Sequence, residues 1–434
     1  MLGDDDMEVG QPKQGQASDV AGGRRLLVNA SWLGAANIAV KPLWFVFITV
    51  ACARVLGADG YGALTTALSL GAVAFALTNF GAAQYIVREV ARDSAQAPRL
   101  FTHFLSLRLL LIAMAAAGVG VAAWALDYER PLVLTTGAVC VYHAGLTLTE
   151  YARAYFQAFE VLQYEAISVL VEKLLVIAGG ASMLVAVATP AMTVAGMAIG
   201  TVFTATGVLL FVARKLVPER NGLDWPYAKS VLPALVPYGL VSLLGMMFFR
   251  IDTVMVEALL STVAAAQYGL PFRFVEALNM IPAVVVTAAG YPRLAKLCSE
   301  ERFGAATRLL WRIAAGLLVV GVIGAGVLSV ISDPLMTWVT DDPELQASAP
   351  VLRVLCWAFP LTSLRTLLAA VLLSLDMPRA VAGGLFGGVV LNVGLNLWLI
   401  PQLGVTGAAL TTLACELLLL AAYAFLCHLR LRHR

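Results

Sequence analysis

Charge is what this sequence has least of. Only 13% of its 434 residues are Asp, Glu, Lys or Arg, against 60% hydrophobic, and the mean hydropathy is +0.84. Soluble domains carry about 25% charged residues, so composition alone assigns the chain to a membrane. The net charge of +2 excludes a nucleic-acid binder. Cys52, Cys140, Cys298, Cys356, Cys415 and Cys427 form no CxxC pair and have no histidine at metal-ligand spacing, so they read as small apolar packing residues and no metal site is expected. No cleavable leader is evident, because the first apolar run is long enough to remain as a span. No connection is long enough to hold an extracytoplasmic catalytic domain, which argues against an enzyme such as a membrane-embedded glycan polymerase or ligase.

What is present is a series of long apolar runs. Crossing the hydrocarbon layer takes about 20 apolar helical residues. Cutting at polar and Pro/Gly breaks gives twelve such segments, at 29–52, 62–83, 104–126, 132–156, 164–187, 191–213, 231–256, 264–289, 308–331, 350–373, 379–400 and 404–427. Residues 1–25 are polar, bury too little to fold and are expected to form a disordered cytoplasmic tail. Basic residues gather after even-numbered segments: Arg88, Arg92 and Arg99; Arg214, Lys215, Arg220 and Lys229; Arg293, Lys296, Arg302 and Arg308; Arg430, Arg432 and Arg434. The odd connections are poor in them, and 332–345 carries only acids. The positive-inside rule then puts both termini in the cytoplasm of a cell whose plasma (inner) membrane holds the protein.

The chain also repeats itself. "DGYGALTTALSLG" from Asp59 aligns with "AQYGLPFRFVEAL" from Ala266, pairing Tyr61 with Tyr268 and Gly62 with Gly269, and "VAGMAIG" (194–200) recurs as "VTGAALT" (405–411). Six helices per half make the halves parallel, related by an axis along the membrane normal. The expected fold is an all-α integral membrane protein with twelve transmembrane helices in two six-helix lobes around a central cavity. Its N-lobe is 26–213, its cytoplasmic linker 214–230 and its C-lobe 231–434, and it is expected to act as a monomer.

The few charges inside these runs are the candidate site residues. A Lys, Arg or Asp facing lipid at mid-depth costs about 2.5 to 3.5 kcal/mol, so such groups must face one another or a wet interior. Glu150 with Arg153, and Arg273 with Glu276, sit at i,i+3 and can pair on one helix face. Arg250 and Asp252, at i,i+2, point about 200° apart and need partners elsewhere. Lys41 and Arg250 precede Tyr61 and Tyr268 by similar spacings, which puts one cation on the opening helix of each lobe at similar depth. Facing cations repel unless something anionic lies between them, so they read as a ligand site. Pro42 lets the first helix bend. Gly384, Gly388, Asn392 and Asn396 form one stripe at i+4 steps, read as helix packing with the asparagines a lesser candidate for a cavity wall. His143 reads as a satisfied packing histidine, and Trp124, Trp225, Trp338 and Trp398 as an interfacial belt.

The stretches "RVLGADGYGALTTALSL", "NFGAAQYIVREVAR", "YFQAFEVLQYEAISVLVEKLL", "FFRIDTVMV", "YGLPFRFVEALNMIP" and "LNVGLNLWLIPQLGVTGAALTTLACELLLL" resemble, in order, the polysaccharide biosynthesis (Wzx-type) flippases of the multidrug/oligosaccharidyl-lipid/polysaccharide exporter superfamily. The resemblance implies a MATE-like fold, alternating access, and a polyprenyl-diphosphate oligosaccharide moved to the outer leaflet for surface polysaccharide export, in partnership with polymerase and export machinery. It implies that the diphosphate meets basic cavity residues, for which Lys41, Arg250 and Arg273 fit, with Arg88 at the cytoplasmic mouth. No cofactor is expected. Coupling to H+ or Na+ would use Asp252, Glu276 or Glu150, and Pro42, Arg153, Asn392 and Asn396 would line or gate the cavity. A multidrug/cation antiporter relies on an acid where this chain has Lys41, and lipid II flippases resemble fourteen-helix chains; both remain as alternatives.

Overall fold

The computed structural model describes residues 40–432 apart from 220–221, 223–224, 281, 283–285, 287–289 and 301; side chains are left out at 431–432 and at several positions between 225 and 238. The expected N-terminal tail and the start of the first helix lie outside the described residues. All regular structure among the described residues is helical: α1 (40–56), α2 (58–79), α3 (Ala82–Arg92), α4 (Ala97–Ala125), α5 (Arg130–Ala158), α6 (Leu162–Val187), α7 (Pro190–Phe211), α8 (Trp225–Leu259), α9 (Thr262–Leu278), α10 (Tyr291–Ser299), α11 (Phe303–Val330), α12 (Ser332–Val339), α13 (Pro343–Gln346), α14 (Ala349–Leu355), α15 (Ala358–Ser374), α16 (Pro378–Leu403) and α17 (Val405–Arg432).

Among the described residues, nine helical stretches are long and apolar enough to cross a bilayer, or ten if α13–α14 and α15, bent by 45°, form one span. The expected first and second spans both lie in Val40–Arg92. The expected eighth is shorter, with its continuation partly outside the described residues. The expected linker is also shorter, because a π-helical turn at Val212–Leu216 extends α7 and α8 already begins at Trp225. Proline at the first turn starts α4, α5, α7 and α16, where its missing N–H is no loss. Several buried threonines, among them Thr65, Thr135 and Thr193, spend their hydroxyls on carbonyls three or four residues back, which satisfies them without water.

Gly57 ends α1 with φ 65° and ψ −173°, a conformation open in practice only to glycine. Cys52 and Tyr61, on either side of it, both come within electrostatic range of Arg273, so the chain doubles back at this point. This α1–α2 turn is clasped by the segment after α11. Arg54 donates to the carbonyls of Val339 (3.0 Å) and Trp338, and its guanidinium lies 5.8 Å from the Trp338 ring centre. One carboxylate oxygen of Asp342 accepts from Ala58 N–H at 2.8 Å while the other caps α13 through Glu344 N–H at 2.9 Å.

The halves meet where α2 packs on α8 and α9. The contact is reciprocal and made by the repeat itself: a Cβ on Gly62 would lie 1.9 Å from the Thr262 carbonyl oxygen, and one on Gly269 would lie 3.0 Å from Thr65 Oγ1. Tyr61 and Tyr268, the aligned pair, are each fully buried beside this contact. All six cysteines are free and five are buried, as packing residues would be.

Replacing Gly62 with Ala should force α2 off the Thr262 carbonyl and cost about 1 to 3 kcal/mol. Thermal unfolding of the detergent-solubilised protein checks this, with Gly118→Ala, where a Cβ would meet open space, expected to melt like the parent.

Candidate functional site

Near this helix contact one carboxylate serves two arginines. Glu276 on α9 receives Arg250 from α8 at 2.5 Å and Arg273, one turn back on α9, at 3.0 Å. Arg250 and Arg273 are mostly shielded, at 15% and 10% side-chain exposure. Lys41 on α1 is exposed, has no carboxylate partner among the described residues, and borders the same space. Two arginines therefore share one carboxylate, and Lys41 adds an unpaired cation. Lys41, Arg273 and Glu276 border a slot of about 330 Å³ between α1 and α9, walled otherwise by Pro42, Trp44, Phe45, Ile48, Ala277 and Met280; Arg250 reaches Glu276 from outside its lining. One end is charged, the rest is hydrocarbon, and exposed Leu43 and Val46 lie beside it on α1.

Across Trp44 lies a second cluster. The Lys173 ammonium is 5.6 Å from the Trp44 ring centre and 3.1 Å from Glu172. Arg153 reaches Glu172 at 3.0 Å and donates to Ser168 Oγ at 2.8 Å. The expected Glu150–Arg153 helix-face pair is therefore absent; the nearer carboxylate comes from the adjoining helix α6. Glu150 is exposed, in range of Arg108, Arg153, Glu172 and Lys173. Tyr142 is in range of both Lys173 and Arg273, and His143 of both Lys173 and Arg250, so α5 spans the gap between the two clusters. His143 is not fully satisfied: its Nε2 is buried without a hydrogen bond, between Phe75 and Tyr142. Summed over Lys41, Arg153, Lys173, Arg250 and Arg273 against Glu150, Glu172 and Glu276, the chamber carries an excess of positive charge.

Asp252 is elsewhere, as its i,i+2 offset from Arg250 demands. It is 2% exposed and makes no ion pair among the described residues. Oδ1 accepts from Asn392 (2.8 Å) and Asn396 (2.5 Å), and Oδ2 from Tyr268 (2.9 Å) and Thr412 (3.0 Å). Four neutral donors from α9, α16 and α17 hold this carboxylate, and full hydrogen bonding is what makes such a buried charge tolerable. The stripe therefore does pack helices, with Gly388 against Phe248 of α8 and Gly384 against Tyr423, and its two amides hydrogen-bond across to a carboxylate on α8. Asp252, Asn392 and Thr412 border a void of about 20 Å³, room for one water or small ion, which also touches Glu416 and Asn279. Asn279 Oδ1 is buried and unpartnered. Glu416 in turn takes a bidentate pair from Arg365, at 2.6 and 3.3 Å.

Of three further expectations, Arg88 lies outside the slot, while Pro42 and Glu276 both line it in roles that differ from those expected. Arg88 is 62% exposed on α3 and paired with its neighbour Glu89 at 3.0 Å, remote from the slot lining. Pro42 sits in regular helix; the departure from α geometry is a π-helical turn at Val46–Ala51, and the carbonyl that Pro42 would free lies at position 38, outside the described residues. Glu276, an expected coupling group, is instead committed to two arginines. Sequence reasoning also missed Arg108, which is 2% exposed and donates to the Thr147 carbonyl at 2.5 Å and Asn79 Oδ1 at 3.3 Å. A lone arginine in the run "FLSLRLLLIAM" was the available signal.

The family model described as polysaccharide biosynthesis protein matches residues 26–298. The chain belongs to this family. The MatE family model also matches, over residues 237–398. No curated protein matches it. Among solved structures it is similar to an inward-facing conformation of a multidrug resistance MATE family transporter of the MOP superfamily, at TM-score 0.75 and 14% identity over 90% of this chain and 95% of that one. It is similar also to the lipid II flippase MurJ in an inward closed conformation, at 0.70 and 12% over 91% and 86%. An outward-facing conformation of a MATE family transporter gives 0.63 and 15% over 94% and 96%. At these identities the likeness establishes a MATE-like fold.

Asp252→Leu would take the shared acceptor from four donors; Asn396 keeps Asn392 Oδ1, Thr412 the Ala408 carbonyl and Tyr268 the Thr412 hydroxyl, so the loss falls chiefly on Asn392, at about 1 to 3 kcal/mol for a buried group left unsatisfied. Asp252→Asn keeps an acceptor for the asparagines, and both hydroxyls can turn to accept. The unfolding midpoint should fall steeply for Leu and little for Asn.

Proposed function

We propose that this protein moves a polyprenyl-diphosphate-linked oligosaccharide from the cytoplasmic to the outer leaflet of the plasma membrane by alternating access. The observation that carries the reading is the amphipathic slot between α1 and α9: Lys41 and Arg273 border it beside a single carboxylate, Glu276, which Arg250 also engages from outside the lining, and hydrocarbon lines the remainder. A lipid phosphate matches it group by group, with the diphosphate at Lys41 and Arg273, Arg250 adding its charge through Glu276, and the first isoprenes along Phe45, Ile48 and Met280. One opposite charge at 4 Å contributes about 4 kcal/mol at an effective dielectric of 20, enough to offset much of a phosphate's loss of water. With the cell interior negative, each negative charge carried outward gains about 2.3 kcal/mol per 100 mV. The positive excess disfavours the cationic cargo of a drug antiporter.

Asp252 is the coupling group in this reading. Its cage holds the ionised form without a cation, and a proton or a small cation entering the adjoining void would replace part of that cage. The clasp of Arg54 and Asp342 closes what the positive-inside rule makes the outer end, so this is the inward-facing state. The better match to the inward-facing MATE structure than to the outward-facing one supports that assignment.

In a strain lacking its own flippase, Lys41→Ala and Arg250→Ala should each abolish surface glycan export at normal protein level; full export by both removes the slot from the mechanism. In proteoliposomes, an imposed proton or sodium gradient should accelerate flipping by the parent and leave Asp252→Asn unchanged. Equal response of the two proteins would clear Asp252 of coupling.

A further inference from the structure

The two tyrosines that the internal repeat aligns meet different partners. Tyr268 is fully buried, and its hydroxyl donates to Asp252 and lies against that of Thr412. Tyr61 is as deeply buried, but at the spacing that aligns the pair Asp252 falls opposite Phe45, so no acid meets it from the equivalent position. Its hydroxyl makes no hydrogen bond of ordinary geometry among the described residues. The ionisable groups in range of it are Arg273, Cys52 and Glu276, with Arg273 first and close enough to bond once the two turn toward each other. The helix faces agree. Ala266, Leu270 and Phe274 of α9 pack in one apolar cluster with Tyr61. Arg273, seven residues beyond Ala266 and three beyond Leu270, stands on that same face.

We propose that Tyr61 is a positioning residue for the phosphate site, holding the Arg273 guanidinium toward the slot from the N-terminal lobe while the outer side is shut. This rests on the function proposed above. Glu276 alone does not set that orientation, because it is shared with Arg250 and takes Arg273 through Nη1 only. A guanidinium is a rigid fork of donors, so two acceptors in different directions fix its plane. Without the second, it folds onto Glu276 and shows less of its charge to the slot. The contact also depends on the state of the lobes. Tyr61 on α2 and Arg273 on α9 belong to opposite halves, and Tyr61 packs with Met336, Val339 and Leu345 beneath the outer clasp. Parting that cluster carries Tyr61 away from Arg273. Phosphate affinity is therefore highest with the outer side closed and falls as it opens, the order that loading inside and release outside require.

Tyr61→Phe keeps the ring and removes only the hydroxyl. With the full-length protein in proteoliposomes and a fluorescent polyprenyl-diphosphate disaccharide as cargo, KM should rise about ten-fold, the low end of what a hydrogen bond to a charged group contributes. kcat and the unfolding midpoint should stay close to the parent's. Binding of polyprenyl diphosphate in detergent, read from the fluorescence of Trp44 on the slot wall with Trp44→Phe as blank, should weaken to a similar degree. Adding Tyr61→Phe to Arg273→Gln should weaken it no further, because one residue acts through the other. Parent-like KM and binding in Tyr61→Phe, a loss that adds in full to that of Arg273→Gln, or a fall in kcat that follows a lower midpoint each overturns the inference. If Arg273→Gln is weakened and Tyr61→Phe is not, the slot keeps its function and only the part given to Tyr61 is lost. If Arg273→Gln itself binds like the parent, the slot reading falls and this inference with it.

Discussion

One carboxylate in an apolar setting holds two arginines, and the character of the candidate site follows from it. Removing an ion from water costs several kcal/mol even after relaxation, so Arg250 and Arg273 can both sit in the interior only because Glu276 reaches each of them. The compensation is incomplete. Two guanidiniums against one carboxylate leave a standing positive charge, and Lys41 adds another from the opposite helix. A site fully neutralised by its own side chains would have little to offer a phosphate; one with no carboxylate would not hold the arginines in place. Glu276 sits between those limits.

The other interior charges are settled in different ways. Arg365 and Glu416 cancel as a bidentate pair. Arg153 and Lys173 divide Glu172 much as the arginines divide Glu276, but with Glu150 nearby the excess is smaller. Among the described residues Asp252 makes no ion pair and is held by neutral donors. A carboxylate stabilised by dipoles and bordered by a void the size of one small guest is more open to exchanging partners than one locked between two arginines. That contrast is why the proposed cycle gives coupling to Asp252 and not to Glu276.

Much of this was legible in the sequence, and what was not has identifiable causes. The helical character and the internal repeat could be read because both rest on local hydropathy and spacing; the aligned glycines Gly62 and Gly269 prove to be the contact between halves. The i,i+2 offset of Arg250 and Asp252 correctly demanded separate partners, and the i,i+3 offset of Arg273 and Glu276 correctly gave a pair. The same i,i+3 rule failed for Glu150 and Arg153, because it does not see Glu172 on the neighbouring helix. The asparagine stripe does pack helices as read, but nothing in its own helix announces an aspartate from α8. Side chains that meet across helices are set by tertiary contact, which periodicity does not encode.

The clasp at Gly57 differs in kind from the apolar contacts around it. Arg54 and Ala58 are held there by backbone carbonyls and one oxygen of Asp342. Each of those hydrogen bonds can be traded for one to water at a change of only about 1 kcal/mol. Beneath them Met336, Val339 and Leu345 are packed in one apolar cluster with Ala58 and Tyr61, so parting the segment from the turn would wet replaceable polar groups first and bare hydrocarbon second, and that buried layer is what sets how firmly the two stay together.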